Sequence, residues 1–180
     1  MKTYIALFRG INVGGNNSLP MKELRALLEK LDAENVKTYI QSGNAVFQHV
    51  TEDVDQLAER ISAAIKESHG FAPRVLLLDV AAAEKAAAAN PFPAAEAEPK
   101  TLHLYFLAAT PQNPDLSLLD SLKKDNEQYQ LTDNVFYLYA PDGIGRSKMA
   151  ERVEKALGVA ATARNWRTVG KIMAMASEIG

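Results

Sequence analysis

The order of apolar patterns in the first 80 residues restricts the fold of this chain more than any other feature. Two stripes of apolar residues spaced three and four apart, beginning at Met21 and Val54, predict two helices. Segments with strand-like patterns lie before, between and after them, at residues 2–8, 36–40, 45–47 and 74–78. The resulting order, β-α-β-β-α-β, predicts a ferredoxin-like half.

Local residues define the ends of these elements. Pro20 suits the first turn of a helix, where its missing N–H costs nothing, and Thr51 is predicted to cap the second helix. The segment Ser42-Gly43-Asn44 is a turn signal, so the two middle strands are expected to form a hairpin. Residues 74–78 are a continuous apolar run, which predicts a strand in the interior of the sheet.

The second half of the chain repeats this order less completely. Residues 101–107 predict a strand, Asp115 begins a helix, and two short strands flank a turn at residues 132–134. Ser147 is predicted to cap another helix, and the last helix is expected to begin near Asn165, where a fourth strand would complete the pattern. The predicted fold class is therefore α+β, with two ferredoxin-like halves, the second degenerate, and a C-terminal helix.

Three segments are expected along the chain. Residues 1–80 form the first half, residues 81–100 an alanine-rich helix and an acidic connection that contains prolines, and residues 101–180 the second half with the C-terminal helix. The segments are expected to share one compact unit, because 180 residues are an ordinary length for a single domain.

Composition argues against several chemistries. The chain has no cysteine, which excludes disulfides, thiolate metal ligands and cysteine nucleophiles. Its three histidines stand apart and no serine lies in a G-x-S-x-G elbow, so no metal site, cofactor or catalytic set is predicted. Whether the protein is an enzyme stays open. The net charge of −2 and the lack of an apolar run of about 20 residues predict a cytoplasmic protein with no membrane partner.

A glycine- and asparagine-rich stretch joins the first strand to the first helix. Its glycines fit neither G-x-G-x-x-G nor a loop ending in Gly-Lys-Ser/Thr, so neither a Rossmann nor a P-loop site is predicted. Two interpretations remain, a loop whose N–H groups bind an anion near the helix N-terminus, or an ordinary tight connection. The stretch contains no acidic residue, and its candidate ligand residues are Arg9, Gly10, Asn12, Gly14 and Gly15.

Two later stretches near predicted helix starts have a similar composition. Cations are unfavourable at the positive end of a helix, and a bound anion would relieve that conflict, but an ordinary turn followed by a cap explains most of the same residues. Residues 146–171 carry seven Lys or Arg and two Glu, a net charge of +5, whereas residues 51–70 carry −3. The candidate ligand residues here are Gly143, Gly145, Arg146, Ser147, Lys148, Thr162, Arg164 and Asn165.

Several motifs together resemble the bacterial family called domain of unknown function 1697. They follow one another through nearly the whole chain, at residues 7–15, 19–24, 39–44, 90–92, 105–107, 142–148 and 162–169. The resemblance implies a compact α/β protein with ferredoxin-like halves. It implies no activity, because the family is named for the lack of one.

The leading hypothesis is a protein that binds an anionic ligand where the loop from Arg9 to Gly15 meets Arg146, Lys148, Arg164 and Asn165. The ligand is expected to be a phosphate-containing small molecule, such as a nucleotide or a phosphorylated metabolite, and a nucleic-acid backbone is a further possibility. The alternative is a structural or protein-interaction module, such as a homodimer that pairs sheet edges or the alanine-rich helix, with no small-molecule ligand.

Overall fold

The computed structural model describes residues 1–180 and contains eight β-strands and six α-helices. The strands form two four-stranded antiparallel sheets. They are β1 (Lys2–Arg9), β2 (Glu34–Tyr39), β3 (Asn44–His49), β4 (Arg74–Asp79), β5 (Leu102–Leu107), β6 (Gln128–Leu131), β7 (Val135–Tyr139) and β8 (Ala161–Asn165). The helices are α1 (Met21–Lys30), α2 (Val54–His69), α3 (Val80–Ala88), α4 (Leu116–Leu122), α5 (Val153–Leu157) and α6 (Trp166–Ile179).

Two compact units divide the chain, and each has its own sheet. Unit 1 contains Met1–Lys85 and Gly170–Gly180, and unit 2 contains Ala86–Val169. The boundaries fall inside α3 and α6, so the C-terminal segment belongs to unit 1. Within unit 1 this segment is fastened to the sheet, because Lys37 pairs with Glu178 at 2.7 Å.

The sheet of unit 1 has the strand order β2-β3-β1-β4, which is compatible with a ferredoxin-like half. Successive side chains of β1 point to opposite faces, and Tyr4, Ala6 and Phe8 lie on the face that joins the apolar core. Leu24 of α1 and Ile61 of α2 belong to the same core and are fully buried. The apolar stripes of the two helices therefore cover one face of the sheet, as their spacing predicts.

Strand β4 corrects one prediction, since it lies at the edge of its sheet and pairs only with β1. A continuous apolar run is typical of a strand with neighbours on both sides, but here Leu77 is buried and Leu76 and Leu78 are half-buried. The apolar run reflects the partial burial of both faces of the strand. It does not predict whether the strand has a neighbour on one edge or on both.

The start of α2 corrects the prediction that Thr51 caps this helix. Asp53, and not Thr51, is the N-cap residue, and its carboxylate accepts a hydrogen bond of 2.9 Å from the N–H of Gln56. The Thr51 hydroxyl instead accepts a bond from the N–H of Asp53, one step before the helix. Pro20 takes the N-cap position of α1, one residue earlier than the first helical turn.

The sheet of unit 2 has the strand order β6-β7-β5-β8, so this half is also compatible with a ferredoxin-like arrangement. Its fourth strand corrects the prediction of a degenerate half. Residues Ala161–Asn165 pair with β5 before α6 begins at Trp166. The alternation of Ala161 and Ala163 toward the core with Thr162 and Arg164 on the other face is a strand pattern, but alanine makes it weak.

The helices of unit 2 differ in length from their predictions. Ser147 precedes a 3-10 turn (Ala150–Arg152) and a five-residue α5, and not one longer helix. Gly158 ends α5 in the left-handed conformation, with φ of 69°, as a C-terminal glycine should. No helix in the chain combines the length and the apolar character that a membrane crossing requires.

Candidate functional site

The glycine-rich stretch of unit 1 folds into a small hairpin, here called the glycine hairpin (residues 10–19). Val13 and Asn16 form its bridge, and the N–H of Asn16 donates to the Val13 carbonyl at 2.9 Å. The two residues between them, Gly14 and Gly15, have φ of 58° and 77°. Positive φ at both central positions is the requirement of a type I′ turn, which glycine meets at low cost.

Asn12 holds this hairpin to the rest of unit 1. Its side-chain amide donates to the carbonyls of Leu19 and Gln41, both at 2.8 Å, while its Oδ1 accepts from the N–H of Leu19 at 2.7 Å. All three bonds are made to backbone groups of the protein, so the carboxamide of this candidate ligand residue stabilises the loop structure. It ties the hairpin to the turn between β2 and β3.

Gly43 supplies the close packing at the same place. A Cβ on this residue would lie 2.5 Å from Ile11 Cδ1 and 2.7 Å from Phe8 Cβ, and its φ is 91°. The carbonyl of Gly43 also accepts from the N–H of Phe8 at 2.9 Å. The turn and the glycine hairpin are therefore packed together and not independent loops.

The strand ends and loops at this end of the sheet contain no acidic residue, and Glu23 follows them in the first turn of α1. Here β1 and β2 end and β3 and β4 begin, and Arg9 lies directly opposite Arg74 in the ladder. No Asp or Glu occurs in residues 1–22, 35–51 or 70–78, which supply the strands and loops at this end. We call this surface, with the glycine hairpin and the turn at residues 40–43, the basic end of unit 1.

Unit 2 brings together parts of the other two candidate stretches. Strand β7 ends and β5 begins at the sheet end where β8 also ends, because Leu102 pairs with Tyr139 and His103 with Asn165. Gly143 stays near this end, since its N–H donates to the Ala140 carbonyl at 2.9 Å. The loop after β7 and the start of α6 therefore leave the sheet together, about two strand spacings or 10 Å apart.

Thr162 and Arg164 do not share a face with Asn165. All three lie in β8, where Thr162 and Arg164 occupy the face opposite to that of Asn165. Burial lowers the pKa of Arg164 to about 10, which leaves its guanidinium charged at neutral pH. One of its nitrogens donates to the Ala163 carbonyl at 2.9 Å.

The N-termini of α5 and α6 differ in how well they could bind an anion. The Ser147 hydroxyl is buried and accepts from the N–H of Ala150 at 3.1 Å, so it acts as a cap, and α5 is too short to carry a large dipole. The 14-residue α6 is long enough, and Asn165 Oδ1 accepts from the N–H of Thr168 at 2.9 Å. Arg146 and Lys148 are exposed and belong to no ion pair, and Gly145 lies exposed beside Arg146.

His103 was not among the predicted site residues. Its ring is buried opposite Asn165, and the Nδ1 atom has no hydrogen-bond partner. Burial lowers the pKa of His103 to about 4, so the imidazole is neutral at pH 7. A histidine in the otherwise apolar strand Leu102–Leu107 is the sequence signal that points to it.

A groove of about 500 Å³ lies between α1 and α2. Within it, Ser68 Oγ lies 2.7 Å from His69 Nδ1, and His69 Nε2 contacts Glu23. Ser68 and His69 lie at the C-terminal end of α2, and Glu23 lies in the first turn of α1. No cluster of His, Cys, Asp and Glu in the structure has the residues of a metal site.

Fold and surface together define a small mixed α/β protein with two antiparallel sheets and a basic surface at a sheet end. The chain belongs to the family described as "Protein of unknown function (DUF1697)", whose model matches residues 1–137. A solved structure of "conserved bacterial protein SP0830 from Streptococcus pneumoniae" is similar, with a TM-score of 0.72 and 24% sequence identity over 97% of this chain and 98% of that one. At this identity the likeness shows the fold alone. No curated protein matches the chain.

Proposed function

We propose that this protein binds a phosphate-containing small molecule at the basic end of unit 1. The observation that carries the proposal is charge, since three separate chain segments converge there and none contains an acidic residue. Arg9 and Arg74 are directly opposite each other in the ladder, so two arginines stand side by side at this end. Guanidinium groups can contact phosphate with two parallel bonds, so two arginines at this end suit a phosphate group.

The glycine hairpin supplies donors and access to the same surface. Gly14 and Gly15 are exposed, and a Cβ at either position would meet nothing within 4 Å. The N–H groups of both residues donate to no protein acceptor. Successive free N–H groups in such a turn can bind an anion.

The candidates in unit 2 form a second cationic surface in this proposal. Arg146, Lys148 and the start of α6 supply positive charge, and Asn165 supplies a polar side chain at the helix N-terminus. Whether these residues share one cleft with the glycine hairpin stays a prediction, because the hairpin belongs to unit 1.

The test measures binding of inorganic phosphate, pyrophosphate, ribose 5-phosphate and adenosine 5′-monophosphate by calorimetry and by melting shift, in a phosphate-free, low-salt buffer. We expect at least one probe to bind, with weaker binding at higher salt because exposed charges are screened. Loss of one charge-assisted contact in Arg9→Gln or Arg74→Gln should weaken binding about tenfold. The matched control is Arg60→Gln, which removes an exposed arginine from the middle of α2.

Two results would overturn the proposal. One is that no probe binds to the wild-type protein or shifts its melting temperature. The other is that Arg60→Gln weakens binding as much as the two variants at the basic end. The melting temperature of each variant without ligand shows whether a loss of binding reflects a loss of folding.

A second candidate function is self-association through β4, and one observation favours it. This edge strand carries the apolar run Val75–Leu78 without the proline, bulge or lysine that usually protects an edge. Light scattering should then give the mass of a dimer, and Leu76→Lys should give a monomer. A wild-type monomer at high concentration would exclude this candidate.

A further inference from the structure

Ile40 has a backbone conformation that its side chain opposes. Five non-glycine residues have positive φ, and four of them are Asn or Asp, which tolerate that region. The fifth is Ile40, with φ of 49°. A β-branched side chain in this conformation is strained, and Asn or Gly would relieve the strain.

The side chain of Ile40 gains little from the protein in return. It is 48% exposed, so about half of its surface is not covered by the protein. Strain that folding does not require is found most often at sites that contact a ligand or partner. The combination of strain and exposure at Ile40 is therefore typical of a residue that contacts a ligand or partner.

A second exposed apolar residue lies on the neighbouring loop. Val13, at the tip of the glycine hairpin, is 61% exposed. The bond from Asn12 to the Gln41 carbonyl joins the residues next to Val13 and Ile40 at 2.8 Å. Gly43 packs closely on Ile11, so the turn at residues 40–43 and the glycine hairpin are also in direct contact there. Val13 and Ile40 thus stand on two loops that are held together, and both loops belong to the basic end of unit 1.

The residues around Val13 and Ile40 indicate the chemical class of a ligand that would bind there. An apolar pair offers contact to a flat or apolar group, whereas Arg9, Arg74 and the free N–H groups of the hairpin favour negative charge. The segments that form the strand ends and loops there contain no carboxylate of their own. A nucleoside phosphate has both parts, an aromatic base and a phosphate. A sugar phosphate has only the second.

We propose that Ile40 and Val13 contact the base of a nucleoside phosphate whose phosphate lies at the basic end of unit 1. This inference rests on the proposed function and narrows the ligand from phosphates in general to nucleotides. The strain at Ile40 is retained because the side chain is needed for the ligand and not for the fold.

The experiment compares two variants by calorimetry, with adenosine 5′-monophosphate, uridine 5′-monophosphate and ribose 5-phosphate as probes. Ile40→Asn keeps a residue that tolerates positive φ and removes the apolar contact. Val50→Asn is the matched control, because Val50 is an equally simple apolar side chain, 68% exposed, just after the opposite end of β3. The melting temperature of each variant is measured without ligand.

We expect the wild-type protein to bind at least one nucleotide about tenfold more tightly than ribose 5-phosphate, which corresponds to burial of one or two apolar contacts. Ile40→Asn should abolish this preference, leave binding of ribose 5-phosphate unchanged and raise the melting temperature through relief of strain. Val50→Asn should keep the preference.

Equal binding of nucleotides and ribose 5-phosphate by the wild-type protein would overturn the inference but leave the proposed phosphate site in place. The inference would also be overturned if Ile40→Asn kept the full preference for nucleotides, or if Val50→Asn lost it. If neither class of probe binds, the proposed function and the inference fail together.

Discussion

His103 predicts a loss of stability in mild acid that can be worked out from the structure. Burial lowers its pKa from 6.5 to about 4. Because the folded pKa lies below the unfolded one, the unfolded chain binds more protons between these values, and stability falls as the pH falls from 6.5 to about 4. A shift of this size, at 1.36 kcal/mol per pH unit, corresponds to about 3 kcal/mol.

The change that isolates this contribution is His103→Leu, which replaces the imidazole with an apolar side chain of similar size among the apolar neighbours of β5. Urea denaturation of both proteins from pH 7 to pH 4 measures the free energy of unfolding. We expect the wild-type protein to lose about 3 kcal/mol more than the variant over this range. At pH 7 the variant should be more stable by about 1 kcal/mol, because it removes the unpaired Nδ1 atom.

A second buried histidine provides the control. His49 has partners at both ring nitrogens, since Nδ1 accepts from the N–H of Thr51 at 3.0 Å and Nε2 lies 3.0 Å from the Leu31 carbonyl. His49→Leu should therefore lower the stability at pH 7 by about 2 kcal/mol, the opposite sign to His103→Leu. An identical pH dependence in wild-type protein and His103→Leu would refute the reasoning.

Four further substitutions test the packing, the hydrogen bonds and the helix cap described above, each by urea denaturation. Gly43→Ala should cost about 3 kcal/mol, because its Cβ would lie 2.5 Å from Ile11 Cδ1 at a φ of 91°; a cost below 1 kcal/mol would contradict the packing. Asn12→Ala should cost about 2–3 kcal/mol through the loss of three hydrogen bonds, and a neutral result would mean that water replaces them. Asp53→Ala should cost about 1 kcal/mol and Thr51→Ala less, and the reverse order would restore Thr51 as the cap.

Much of the fold could be predicted because local signals and tertiary structure agree. The bounds of β6 and β7 follow from the turn at residues 132–134, and α4 begins where Asp115 caps it. The elements that differ depend on other parts of the chain. Strand β8 consists mainly of weak strand formers, so its pairing with β5 decides its conformation.

The candidate site could be predicted less completely, because its geometry also depends on distant parts of the chain. Composition alone identifies the glycine- and asparagine-rich stretch and its lack of acidic residues, since both are properties of the sequence. The task of Asn12 depends on carbonyls seven and 29 residues away, and the backbone of Ile40 depends on the turn that Asn12 holds. The opposition of Arg9 and Arg74 requires the register of β1 and β4. Neither local propensity nor spacing carries such information.

The glycines at the tip of the hairpin still have two explanations, a turn that needs positive φ and a surface that needs bare N–H groups. Gly14→Asn separates them, because Asn-Gly is a preferred pair in a type I′ turn and a Cβ at residue 14 meets nothing within 4 Å. The free energy of unfolding should then stay within about 0.5 kcal/mol of the wild-type value.

Binding gives the other half of this comparison. If the phosphate lies against the hairpin, the new side chain covers the approach to the N–H groups, and affinity for the best phosphate probe should fall although the turn is intact. If affinity does not change, the glycines serve the turn alone. The phosphate site would then depend on Arg9 and Arg74, and the hairpin would matter to the ligand only because it positions Val13 beside Ile40.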